Sequence, residues 1–147
     1  MMRRTSAMLL AAVSLFGAGV AMAAPAQAGE CTQDNVCLWS DSGHTGYLRD
    51  DFNSRDNWSI ISYEYAGWRL YAGDGVVANV SSIDNWDPDT KVSVYYNSGF
   101  AGPCFKVAAY GSVGNMASIT LSSGKTANDN MNSHNFTSNC TGTTYNF

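Results

Sequence analysis

Twelve carboxylates, two histidines and four cysteines are the side chains of this 147-residue sequence that can do acid–base, nucleophilic or metal chemistry. Asp50-Asp51 and Asp87-x-Asp89 are its paired acids, and two carboxyl groups flanking a glycosidic bond are the equipment of glycoside hydrolysis. Both pairs adjoin turn-forming residues, Asn53 and Ser54 in one case and Pro88 in the other, where carboxylates ordinarily solvate a turn. His44 and His134 stand alone. The sequence has no His-Glu-x-x-His helix, no Gly-x-Ser-x-Gly elbow, no glycine-rich phosphate loop and no Cys/His couple. The chain therefore reads as non-catalytic. Its cysteines, Cys31, Cys37, Cys104 and Cys140, lack the closely spaced thiol or imidazole pairs of a zinc site. Four cysteines allow three pairings, of which local Cys31–Cys37 with long-range Cys104–Cys140 is preferred.

Residues 1–28 carry Arg3 and Arg4, an apolar stretch from Met8 to Met22 and the small-x-small ending Ala26-Gln27-Ala28, the layout of a secretory signal peptide cleaved near Ala28. That apolar stretch is short of the roughly 18 residues that cross a bilayer, so the expectation is a secreted, extracellular protein. Without Arg3 and Arg4, six basic side chains face twelve acidic ones, a net charge of −6. This balance excludes a nucleic-acid partner and opposes attachment to anionic membranes. Aromatic content of 12% with only 14% charged residues marks a chain that can bury a core.

The elements that must position these groups read as strands throughout. Val36 to Trp39, Ile60 to Tyr65, Trp68 to Tyr71, Val92 to Tyr96, Cys104 to Val107 and Ser118 to Leu121 are short, β-branched or aromatic runs bounded by Gly, Asn, Asp or Ser. Asp50 to Trp58 reads as the longest loop, and no segment carries a helical stripe. Short strands at this spacing predict an antiparallel sandwich or barrel.

A repeat organises them. Trp39-Ser-Asp-Ser-Gly-His-Thr-Gly46 lies without gaps on Tyr95-Tyr-Asn-Ser-Gly-Phe-Ala-Gly102, and each block is followed by a serine-bearing loop, Val80-Ser-Ser-Ile83 and Met131-Asn-Ser-His134. An aromatic strand residue followed by glycines predicts a tight fold-back with the ring laid over it. Two such halves imply a duplicated four-strand unit.

At these residues the sequence resembles the βγ-crystallin Greek-key superfamily, whose signature is an aromatic-x3-Gly-x2-Gly hairpin followed by an Asn/Asp-Asn/Asp-x-x-Ser/Thr-Ser loop. With the early Cys-x5-Cys-Leu-Trp and Val-Tyr-Tyr-Asn-Ser-Gly-Phe-Ala-Gly-Pro-Cys, it is similar to the secreted bacterial metallopeptidase-inhibitor family of crystallin type. The resemblance implies an all-β, disulfide-stapled sandwich of two Greek-key motifs over residues 29–140, the first about 30–90 and the second about 91–140. Residues 141–147 are expected as a C-terminal tail of a monomer.

Two functional expectations follow from the resemblance. Calcium in these Greek keys is held by carboxylates, amide oxygens, a hydroxyl and backbone oxygens from paired loops, as a hard cation requires. The second-half loop matches at Asn128, Asp129 and Ser133 and has Asn132 where Ser or Thr is usual; the first-half loop keeps Ser81 and Ser82 but has Val77 and Ala78 in its leading positions. Weak calcium binding by Asn128, Asp129, Asn132 and Ser133 is the implied metal site, with no cofactor required. The other expectation is inhibition of a secreted thermolysin-type metalloprotease. The family's reactive loop is closed by two nearby cysteines; Gly102-Pro103-Cys104-Phe105 matches its later part without a second cysteine close by. Pro103, Cys104 and Phe105 are then the protease contacts. A further alternative comes from the residues themselves: Trp58, Trp68, Trp86, Tyr63, Tyr65 and Tyr71 crowd the first half, and exposed rings stack on sugars, which would make a glycan- or cell-surface-binding module.

Overall fold

Val36, Leu38, Val92, Val94, Phe105 and Val107 have no more than 1% of their surface exposed, and in β-strands alternate residues share one face. Two sheets facing each other across these residues bury that face. The computed structural model describes residues 29–137 and 139–147, so the signal peptide read from residues 1–28 lies outside the described residues.

The strands are β1 (Val36–Asp41), β2 (Thr45–Asp51), β3 (Ser82–Asn85), β4 (Val92–Asn97), β5 (Ala101–Val107), β6 (Ser112–Val113), β7 (Ser133–Asn135) and β8 (Thr144–Tyr145). They form two four-stranded sheets of order β2-β1-β3-β6 and β7-β4-β5-β8. All pairings are antiparallel except β5 with β8. The two sheets enclose one core, in which Trp58, Leu70 and Ile83 of the first half meet Phe105, Met116, Ile119 and Met131 of the second. Each large apolar side chain buried there contributes about 1.5–3 kcal/mol. A smaller cluster of Trp39, Leu48 and the Cys31–Cys37 bridge lies outside it.

The halves exchange strands. β6, from the second half, pairs with β3 in the first sheet through Ile83 and Val113. Reciprocally, Arg55 of the first half bridges His134 of β7 in the second sheet. The first sheet thus takes an edge strand from the second half and the second sheet an edge bridge from the first, as two interlocked Greek keys.

Several expected elements differ. Ile60 to Tyr65 and Ser118 to Leu121 are not strands: each region begins with a single 3₁₀ turn, Trp58–Ile60 and Met116–Ser118, capped by the side chains of Asn57 and Asn115. Only isolated bridges follow, Ser62 with Arg69 and Thr120 with Thr126. Alternating hydrophobicity there serves one-residue anchors such as Tyr63 and Leu121 rather than a ladder. Trp68 to Tyr71 likewise contributes only the Arg69 bridge. Of the loop expected from Asp50, the first two residues instead end β2. The C-terminal segment, expected as a tail, supplies β8: Lys106 and Ala108 amides donate to the Thr143 and Tyr145 carbonyls, and Cys140 is bonded to Cys104. Both disulfides follow the preferred pairing. Among the described residues no helix is long and apolar enough to cross a membrane.

Candidate functional site

The β1–β2 and β4–β5 hairpins fold back identically. In each the register shifts after the aromatic residue, between Trp39 and Asp41 and between Tyr95 and Asn97. His44 (φ 55°) and Phe100 (φ 57°) occupy matching left-handed positions, as do Gly46 and Gly102 (both φ 79°). A Cβ at Gly102 would stand 2.6 Å from Asn97 Nδ2, so only glycine closes that turn. A serine then locks each fold-back. Ser82 Oγ donates to the Asp41 carbonyl at 2.6 Å and accepts from the His44 amide at 3.1 Å. Ser133 Oγ donates to the Asn97 carbonyl at 2.6 Å and accepts from the Phe100 amide at 3.2 Å.

The two motif loops that carry these serines, 77–82 and 128–133, lie against each other. Ala78 (φ 81°) and Asp129 (φ 59°) hold equivalent left-handed positions. Asn79 Nδ2 donates to the Asp129 carbonyl at 2.8 Å, and the Asp129 amide donates to the Val80 carbonyl, tying one loop to the other. The result is a hydroxyl–carboxylate pair between halves: Ser81 Oγ lies 3.2 Å from Asp129 Oδ1. Asn128 Nδ2 donates to Asp129 Oδ2 at 2.6 Å.

The electrostatics of this junction are those of an uncompensated acidic site. Burial pushes the Asp129 carboxyl up, the Ser81 hydrogen bond opposes this, and the Asp41 charge adds to the rise. Tyr63, 2% exposed, has a phenol pushed far above its usual range by burial and then by the Asp129 and Asp41 charges. Its hydroxyl has no hydrogen-bond partner in the protein. Among the described residues neither Asp41 nor Asp129 is in a salt bridge.

The four residues expected to ligate calcium therefore divide. Asn128 and Asp129 meet at the junction. Asn132 instead uses its side-chain oxygen to accept from the Trp58 amide at 3.0 Å, and Ser133 is spent on its hairpin lock. Ser81 takes their place beside Asp129. Ser81 stood in the repeat, but a pairing of residues 48 apart has no local signal in the sequence.

The protease-contact candidates sit on β5. Phe105 is 1% exposed and packs edge-on against Tyr145, so it belongs to the core. Pro103 and Cys104 are half-buried and line a cleft of about 550 Å³ with Thr120, Ser122, Thr141 and Thr143. The paired acids have structural roles. Asp50 accepts from Asn35 and Thr32, Asp87 accepts from the Asp89 and Thr90 amides, and Asp51, 1% exposed, is clamped by Arg55 at 2.6 Å and Arg49 at 3.2 Å. Among the described residues the one group of possible metal ligands with three members, Cys31, Cys37 and Asp50, contains a closed disulfide and so offers no thiolate. Trp58 and Tyr63 are buried, whereas Tyr65, Trp68 and Trp86 are exposed.

No protein-family model matches the chain and no curated protein matches it. Solved structures do. One described as "Evolution of the eye lens beta-gamma-crystallin domain fold" aligns with a TM-score of 0.53 at 18% identity, over 72% of this chain and 87% of that one. A βγ-crystallin from Ciona intestinalis aligns with a TM-score of 0.47 at 20% identity, over 69% of this chain and 98% of that one. The fold is that of a βγ-crystallin domain.

Proposed function

We propose that the chain is an exported, non-catalytic βγ-crystallin-type module that holds one calcium ion between its motif loops. The observation that carries this reading is the Asp129 carboxylate standing 3.2 Å from the Ser81 hydroxyl across the two halves. The donor set fits a hard cation: a half-buried carboxylate and a hydroxyl from opposite halves, with the Asn128 amide beside the carboxylate. A bound cation would neutralise the carboxylate and brace the junction between halves. The mirror position offers no such set, because Ala78 replaces the carboxylate and Asn132 is bonded to Trp58, so one site forms rather than two.

Calorimetric titration of chelator-treated protein with calcium chloride, followed by thermal unfolding, tests this. One weak site, with Kd on the order of 10⁻⁴ to 10⁻³ M as in extracellular modules, and a raised midpoint are expected. Asp129→Asn abolishes both and Ser81→Ala weakens both. Full calcium response in Asp129→Asn overturns the assignment.

A second reading, inhibition of a secreted metalloprotease, draws on Pro103 and Cys104, which the Cys104–Cys140 bridge braces beside an open cleft. With Phe105 in the core, contact would fall on Pro103 and Cys104 alone. Titration into a thermolysin-type assay at constant calcium separates the readings, because stoichiometric inhibition belongs only to this one.

A further inference from the structure

The duplication provides an internal control for the role of exposed residues. After each 3₁₀ turn the chain makes a small hairpin with the same bonds. In the first half Tyr63 N donates to Trp68 O at 3.0 Å and Leu70 N to Ile61 O at 2.9 Å; in the second Leu121 N donates to Lys125 O at 2.8 Å and Ala127 N to Ile119 O at 2.9 Å. Tyr63 and Leu121 fill equivalent core positions, as do Leu70 and Ala127. The outward positions diverge. The first hairpin displays Ile60 (66% exposed), Tyr65 (102%) and Trp68 (59%). The second has Ser118 where the first has Ile60, and Lys125 where it has Trp68. The tips differ in length: four residues, Glu64 to Gly67, separate Tyr63 from Trp68 and three, Ser122 to Gly124, separate Leu121 from Lys125, so the left-handed Tyr65 (φ 55°) has no direct counterpart in the second hairpin, where Gly124 (φ 82°) is left-handed.

The second hairpin closes on the same bonds without apolar side chains at the Ile60 and Trp68 positions, so the shared scaffold does not account for these two, and Tyr65 belongs to a tip that the second hairpin lacks. Tyr65 also stands in a backbone conformation that disfavours a side chain, and its ring touches nothing that would compensate. Strain and exposed apolar surface together mark a contact surface.

Three properties select the partner. The three side chains offer on the order of 400–500 Å², short of the ~800 Å² per partner of a stable protein–protein interface, which disfavours a second copy or a folded protein. The excess of twelve acidic over six basic side chains beyond residue 28 repels anionic lipid. What remains suited to a Trp and a Tyr on a projecting tip is the apolar face of sugar rings presented repeatedly along a polymer. We propose that the Ile60–Trp68 hairpin binds a neutral polysaccharide by stacking of Tyr65 and Trp68. The stacking residues Tyr65 and Trp68 are not among the residues of the calcium junction, so calcium is not required for this contact.

Co-sedimentation with microcrystalline cellulose and with chitin, with and without chelator, tests the proposal. The protein is expected to pellet with at least one polymer in both conditions. A variant carrying the second hairpin's residues at the two equivalent positions, Ile60→Ser and Trp68→Lys, together with Tyr65→Gly at a left-handed position that glycine accepts, is expected to keep its thermal midpoint and lose at least tenfold in binding. Trp68→Lys alone, which leaves the tip conformation untouched, should do most of this. Failure of the wild type to pellet with either polymer, or undiminished pelleting of the folded variants, overturns the proposal. Loss of a dimer on sedimentation velocity in Trp68→Lys, or binding of the wild type to phosphatidylcholine vesicles, would reassign the hairpin to self-association or to a membrane and also overturns it.

Discussion

Trp58 Nε1 donates to His134 Nδ1 at 2.9 Å, joining two fully buried rings from opposite halves of the molecule. His134 Nε2 meets the Asn53 carbonyl at 3.1 Å, so the ring is neutral with its proton on Nε2. A second proton would have to go on Nδ1, where it would face the indole N–H. Burial pushes the His134 pKa down to about 4, against the opposing Asp51 carboxylate and Asn53 carbonyl; Arg55 and Arg49 add to the depression.

The native state thus refuses a proton that the unfolded chain takes up near pH 6.5. Stability is complete above that pH and falls as pH drops toward about 4, by up to about 3 kcal/mol. Below that window Asp51 adds a further loss. Burial would raise its carboxyl, but Arg55 and then Arg49 hold it below 3.8, so its contribution vanishes on protonation. Urea denaturation at pH 7 and pH 4.5 measures the effect. His134→Gln, whose amide oxygen can still accept from Trp58, should flatten the difference between these two pH values.

The two serine locks make a matched pair. Each donates to a hairpin carbonyl and accepts from the amide of a left-handed residue, with distances agreeing within 0.1 Å. Ser82→Ala and Ser133→Ala should each cost about 1–3 kcal/mol, with similar values from denaturant midpoints. A large effect in only one would mean that the repeat is not energetically equivalent.

The two disulfides close loops of very different length, with sequence separations of 6 and 36. Chain-entropy arguments give about 2 kcal/mol for the short loop and about 4 for the long one. Cys104→Ser with Cys140→Ser should therefore lower the thermal midpoint more than Cys31→Ser with Cys37→Ser. The long bridge also holds β8 beside β5, so its removal should speed amide exchange at Lys106 and Ala108.

The parts of the fold legible in the sequence were those written locally. The Trp39 and Tyr95 blocks carry their aromatic, glycines and turn residues within eight positions, and both fold as the repeat requires. Strand exchange left no such trace. Arg55 meets His134, and β6 meets β3, through contacts of one or two residues that periodicity cannot register. His134 illustrates the same limit: in the sequence it is a lone histidine after Ser133, and nothing there points to its buried partner Trp58, 76 positions away. At the junction of the two motif loops the sequence offers Asp129 companions from its own loop only. Asn132 and Ser133 are consumed by the Trp58 amide and the Asn97 carbonyl, and the companion hydroxyl comes from Ser81.

The reciprocal placement of Arg55 and β6 means that the first sheet borrows an edge strand from the second half and the second sheet an edge bridge from the first. The connection between them, Trp86 to Lys91, follows β3 and precedes β4 without belonging to either sheet. Severed there, the two fragments would remain one particle, because each supplies an edge contact to the other's sheet and half of a shared core. Made as separate polypeptides, they should be individually unstructured and recover the native form only on mixing, as complementary pieces whose assembly replaces the peptide linkage.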